Sequence, residues 1–210
     1  MSKHPYVYLI MAVTILTVFS REAHTQPVPS DVAYPTNKDY PAHFSAEIET
    51  TFLTGTQWLT KVYKEEYLLR TDVAYNIQKQ IIITNLDKQE SIAIFPVNSQ
   101  FEKWDFVPTD LETAIDDSLF QTENFGGTHT FVGEEIIEGI PCNKFAVTYH
   151  ANSRTGPEKN GTSWIDKRTN LPVKVQLDDR VSFIKNVKIG QQDPKLFEVP
   201  KGYHEYQPSL

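Results

Sequence analysis

The residues able to do chemistry are few and widely spaced. Asp166 stands in WIDKRTNLPVKV, residues 164 to 175, where an acid beside a tight turn could belong to an active site. The run Lys167 to Asn170 that follows it offers backbone N–H groups to its carboxylate, so a turn acid is the expected role. The acidic pairs Asp116-Asp117 and Asp178-Asp179 carry the groups used in acid–base work or calcium binding. One pair falls on the outer side of an amphipathic helix and the other at a hairpin turn, which makes both solvated charge. The single cysteine, Cys142, has no dithiol partner and sits at the start of a strand, where a small apolar side chain fits. Among the six histidines, His43, His129, His150 and His204 are too far apart to form a ligand motif. Nucleophile elbows, phosphate-cradling glycine loops and His-Glu-x-x-His are absent from the sequence. No catalytic residue, metal site or cofactor is assigned, and the chain reads as non-enzymatic.

Composition narrows the class further. The chain has 210 residues, 40% of them hydrophobic and 12% aromatic, which suits one globular domain. Lys3, the apolar run from Tyr6 to Phe19 and the polar Ser20-Arg21-Glu22 read as a secretory signal peptide over residues 1–25, the run being short for a bilayer span. An uncleaved membrane anchor is the competing reading. Removing Lys3, Arg21 and Glu22 with the signal turns the net charge of −7 into −8. So acidic a chain lacks the basic stripe a nucleic-acid partner needs, and charge alone would not hold it to anionic lipid. One cysteine gives no internal disulfide, so an exported domain of this size must be stable on its core. The expected location is the bacterial periplasm or the extracellular space, without a stable membrane span after cleavage.

The elements follow from hydrophobic periodicity. Pro27, Pro29, Pro35 and Pro41 exclude a helix over residues 26–42, which read as an extended proline-rich leader. From residue 43 to 206 one β-rich domain is expected. Phe44, Ala46, Ile48 and Phe52 alternate with polar residues, and similar strands are predicted from Trp58, Tyr67, Ile81, Ile92, Phe131, Phe145, Ser163, Val173 and Val181. Only residues 108–121 change period. Leu111, Ile115 and Leu119 stack on one helix face there, with Pro108-Thr109-Asp110 as the cap. About ten short strands with one helix suit an antiparallel meander curved around a core. The many aromatic residues either fill that core or line a cavity for an apolar ligand, and both readings stay open.

Two C-terminal stretches carry a family resemblance. WIDKRTNLPVKV followed by DPKLFEVPKGY (193–203), with VGEEIIEGIPCNKFAV (132–147) before them, resembles the ending of proteins with the LolA/LolB/LppX-like fold. Those are exported bacterial carriers of lipoproteins or lipids. The resemblance covers residues 131–203 and implies a mainly β (α+β) fold, a single curved antiparallel sheet forming an open half-barrel closed by one or few helices. It implies that Phe197, Val199 and Pro200 pin the C-terminus to the sheet. It also implies a lipid, acyl or other hydrophobic ligand on the concave face. Strand parity then nominates Trp58, Tyr67, Leu69, Phe95 and Trp104 for the wall, and Leu111, Ile115 and Leu119 for the lid. The leader stands where the family has an opening helix, and only one lid helix is evident. The alternative is a secreted structural or protein-interaction module with a filled core and an unknown protein partner.

Overall fold

The computed structural model describes residues 32–35, 39–75, 78–105, 127–149 and 158–206, with backbone alone for Tyr75, Gln78, Trp104 and Asp105. The expected signal peptide, the helix at 108–121 with Leu111, Ile115 and Leu119, and the pair Asp116-Asp117 lie outside these residues.

Alternation of apolar and polar side chains produces strands β1 (His43–Phe52), β2 (Gln57–Glu65), β3 (Leu68–Tyr75), β4 (Gln78–Asn85), β5 (Glu90–Phe95) and β6 (Gln100–Asp105). The second half gives β7 (Gly127–Ile137), β8 (Ile140–Tyr149), β9 (Lys159–Asp166), β10 (Pro172–Leu177), β11 (Arg180–Ile189) and β12 (His204–Glu205). They form one sheet in the order β12-β6-β5-β4-β3-β2-β1-β11-β10-β9-β8-β7. All neighbours are antiparallel except β12, which lies parallel to β6. The sheet is not closed into a barrel, so the fold is a mainly β open half-barrel.

The order decomposes into two meanders, β1 to β6 and β7 to β11, that run outward from a central β1–β11 pair. That pair is fixed on both faces. Ile48 faces Ile184 and Thr50 bonds Ser182 through their hydroxyls at 2.8 Å on one side. On the other side Lys185 donates to Glu49, and the amide of Asn186 to Glu47, each at 2.6 Å. A bulge between Ser45 and Glu47 places Asn186 at φ 53°, in the left-handed region that asparagine tolerates.

β6 and β12 were not among the strands expected. In QFEKWD the two aromatic residues are three apart in sequence, a spacing that breaks the period of two. β12 is a two-residue extension of the tail.

The ladders sort the side chains onto two faces. The inner face carries the main core, in which Phe44, Ile48, Val62, Leu69, Phe145 and Ile165 join further residues of β1 to β3 and β8 to β11. The outer face carries two smaller clusters. Ile81, Ile83 and Ile94 pack under Phe197, Val199 and Tyr203, so the C-terminal tail is pinned as the resemblance implied, although Pro200 is exposed. Arg70 makes a forked ion pair with Asp72 at 2.5 and 3.0 Å and donates to the Leu196 carbonyl at 2.7 Å, tying tail to sheet. Cys142, Trp164 and Val173 form the other cluster.

Two glycines are required by geometry. Glu138 and Gly139 at φ 49° and 84° make the two-residue turn between β7 and β8, where positive φ at both positions matches the strand twist. At Gly161 a Cβ would lie 2.0 Å from the Gln176 carbonyl oxygen on β10.

Two outcomes follow. Gly161→Ala forces β9 and β10 apart and should destabilise the domain by about 2 kcal/mol or more, read as a lowered Tm. Asp72→Ala leaves the largely buried Arg70 guanidinium without its anion and should cost about 3 kcal/mol in chemical denaturation, whereas Lys79→Ala, which removes the exposed second cation at 3.3 Å, should cost far less.

Candidate functional site

The inner face is the surface on which the nominated wall residues must meet. Trp58 pairs with Thr50, and Leu69 with Lys64 and Thr84, so both rise from the face that bears Phe44 and Ile48. Leu69 is buried in the core, and Trp58 packs edge-on to Phe52 with centroids 4.7 Å apart. Phe95 ends β5 on the same side as Ala93 and Ser91. Trp104 stands opposite Ser91 in the register, which places it on that face by position. Tyr67 is placed differently. It lies in the turn after Glu66, which has φ 50°, outside the strand that was expected to begin with it, and it is 58% exposed. A two-residue turn at Glu66-Tyr67 resets the parity, and no glycine or proline marks it.

Hydroxyls interrupt the apolar side chains of this face. Thr60, Thr71, Thr84, Ser91, Ser163 and Ser182 are all buried. Thr84 and Ser91 bond each other across β4 and β5 at 3.2 Å. The Ser163 hydroxyl has no partner. One lysine, Lys64, is buried there as well.

Part of the inner face is covered by the chain itself. Val32 and Tyr34 pack against the main cluster, Tyr34 over β7 and β8. The Tyr34 ring stacks on His129 with centroids 3.7 Å apart and meets Phe145 edge-on at 5.1 Å. Asn170 holds the same segment farther along, donating to the Asp39 carbonyl at 3.1 Å, and Tyr40 is buried beside the core. Sequence reading had no signal for this strap, because a proline-rich run shows no periodicity to assign a face.

His129 is the titratable group of this covered region. Its Nε2 is buried and unpartnered, its ring lies between Tyr34 and Tyr149, and burial holds its pKa down to about 4.

Among the described residues, the candidate acids Asp166, Asp178 and Asp179 and the thiol of Cys142 are occupied structurally. Asp166 accepts from the Arg168 N–H and the Thr169 hydroxyl, both at 2.8 Å, and so acts as the turn acid expected. Asp178 accepts from the Asn160 N–H and Asp179 from Lys159 at the β10–β11 turn. Cys142 is wholly buried, its thiol donates to the Ile140 carbonyl, and burial with the Asp166 charge pushes its pKa up, so the thiolate is disfavoured. Trp164 lies on the outer face under Lys174 and Lys144, at 4.6 and 5.3 Å, and donates to Glu135 at 2.9 Å. Among the described residues no three His, Cys, Asp or Glu side chains come together, and no helix is long and apolar enough to cross a membrane. An open groove of about 570 Å³ lies beside the β10–β11 turn, and the described residues lining it, Phe52, Leu177, Arg180 and Phe183 among them, include none of the nominated wall residues.

A solved structure shares this architecture. An uncharacterized conserved protein from Thermus thermophilus matches at a TM-score of 0.57 with 11% identity, over 81% of this chain and 93% of that one. A LolA superfamily protein from Nitrosomonas europaea is similar at a TM-score of 0.36 and 11% identity, over 76% of this chain and 90% of its own. A putative outer membrane lipoprotein-sorting protein domain from Vibrio parahaemolyticus follows at 0.35 and 10%, over 74% and 89%. No family model and no curated protein sequence matches the chain. The first of these likenesses carries the fold.

Neutral, half-buried His129 gives a pH signature. Its folded pKa near 4 lies below the ordinary 6.5, so the unfolded chain takes up the proton first as pH falls. Stability from this residue is complete above about pH 6.5 and drains away between there and about pH 4. Denaturation midpoints should fall more steeply across that window for the wild type than for His129→Phe, and the two curves should run parallel above about pH 7.

Proposed function

We propose that the chain is an exported, non-enzymatic carrier or sensor of a lipid, acyl or other hydrophobic ligand, held on the inner face of the half-barrel. The observation that carries this reading is the continuous apolar face of a single open sheet, running from β3 across the centre to β8. A one-layer sheet must cover such a face with something, and a flexible acyl chain gains about 0.8 kcal/mol for each methylene it buries. Trp58, Leu69, Phe95 and Trp104 form the wall in this reading, and Leu111, Ile115 and Leu119 the lid. Tyr67, at its turn, is not part of the wall. The signal-like start of the sequence supports export, to the periplasm or beyond the cell, and the acidic surface supports release from anionic membranes rather than adsorption to them.

The packing of Val32 and Tyr34 on the core favours a second reading, in which the face is filled by the chain itself and the module serves a protein partner. Native mass spectrometry of the protein from its own compartment, with organic extraction, separates the two. The carrier should release an acyl species at near one-to-one stoichiometry, and Trp58→Glu should weaken uptake of a fluorescent fatty-acid probe at least tenfold while the far-UV spectrum is kept. A clean apo mass with no probe uptake by the wild type would reject the carrier.

A further inference from the structure

The inner face carries a charge that no acid among the described residues neutralises. Lys64 stands in the ladder between Phe44 of β1 and Leu69 of β3, so its stem rises from the apolar side of the sheet. It is 6% exposed. An ammonium group has three N–H bonds to place. One reaches the Ala42 carbonyl oxygen at 3.3 Å, and that oxygen already accepts from the Glu66 N–H at 2.9 Å. The neighbouring acids do not answer it. Glu65 projects from the opposite face, where it meets His43 at 2.8 Å and the Gln192 N–H at 2.7 Å. Glu66 is exposed in its turn. Among the described residues no ion pair reaches Lys64. Burial lowers its pKa against the pull of Glu65 and Glu66, as expected of a cation short of partners.

Holding such a group in an apolar face is costly, and a leucine or methionine would serve folding better at this position. The cost is recovered if an anion arrives. The cross-strand row through Lys64 continues over Leu69 to the hydroxyl pair Thr84 and Ser91, while Val62 and Ala46 lie one step further along the strands. A charged head placed at Lys64 therefore has an apolar track beside it.

We propose that Lys64 anchors the head group of the cargo, which is an anionic amphiphile: an acyl or alkyl chain ending in a carboxylate or phosphate. The anionic oxygens take the N–H positions that Ala42 leaves open, and the chain lies along Val62, Ala46 and Ile48. This rests on the carrier reading and narrows its ligand from any hydrophobe to a charged one.

The test compares dodecanoate, dodecyl phosphate and dodecanol by displacement of a neutral fluorescent probe at pH 7.5. The wild type should bind at least one of the two anions at least tenfold more tightly than the alcohol, and the tighter anion identifies the head group. Lys64→Met should abolish that preference, keep the dodecanol affinity within about twofold and leave Tm equal or higher, while Lys64→Arg should keep the preference. Lys64→Gln serves the same comparison if the methionine variant fails to fold. A wild type that binds all three alike, or a neutral variant that retains the full preference, overturns the anchor and leaves the carrier standing. Failure of the wild type to take up any of the three overturns both.

Discussion

The pairing of β1 with β11 is the contact on which everything else in this fold depends. Each meander is a chain of local hairpins, but neither closes a core alone, because the main cluster draws from both. Only when the first strand meets the eleventh, across more than 130 positions of sequence, does the inner face become continuous. The closure entropy of so long a loop rises only slowly with length, and the Ile48–Ile184 contact, the buried Thr50–Ser182 bond and the flanking Lys185–Glu49 pair offset it on both faces. Folding should accordingly wait on this step, as expected for a sheet dominated by distant pairings.

The same pairing explains what could be read from sequence. Strand existence was legible wherever apolar residues alternated, as in β1 and β10, and the turn chemistry of Asp166 was legible because an acid followed by Thr169 and Asn170 has few other uses. Which strands neighbour which was not legible: nothing in HFSAEIETTF names RVSFIKNVKI as its partner, since complementary faces are common to every strand here. Tyr67 shows the sharper limit. An aromatic residue in phase with Leu69 and Val73 satisfies the pattern, yet a two-residue turn at Glu66 starts the strand one position later, and the ring is left in solvent. β6 was lost for the opposite reason, because Phe101 and Trp104 are three apart and mimic helical spacing.

Lys64 was invisible for a further reason. In KVYKEE a lysine reads as the polar half of an alternating strand, and parity from Val62 would place it with the core, a conflict that sequence reasoning resolves in favour of solvent. The ladder resolves it the other way. The inner face is thus not a uniform oil-like surface. It combines buried hydroxyls, one underpartnered ammonium and a strap of its own chain over β7 and β8, and its chemistry differs from one side of the β1–β11 seam to the other.

The two-residue strand at His204-Glu205 has an importance out of proportion to its length. A long open sheet leaves a row of free amides and carbonyls at its rim, the template on which chains stack into fibrils. Here the tail crosses the outer face, held by Arg70 and the Phe197 cluster, and returns to lie on β6, where the His204 and Tyr206 N–H groups bond the Ser99 and Phe101 carbonyls. The chain hems one border of its own fabric. A protein that keeps a greasy face on one side of a single layer has reason to finish that border with even so short a paired strand.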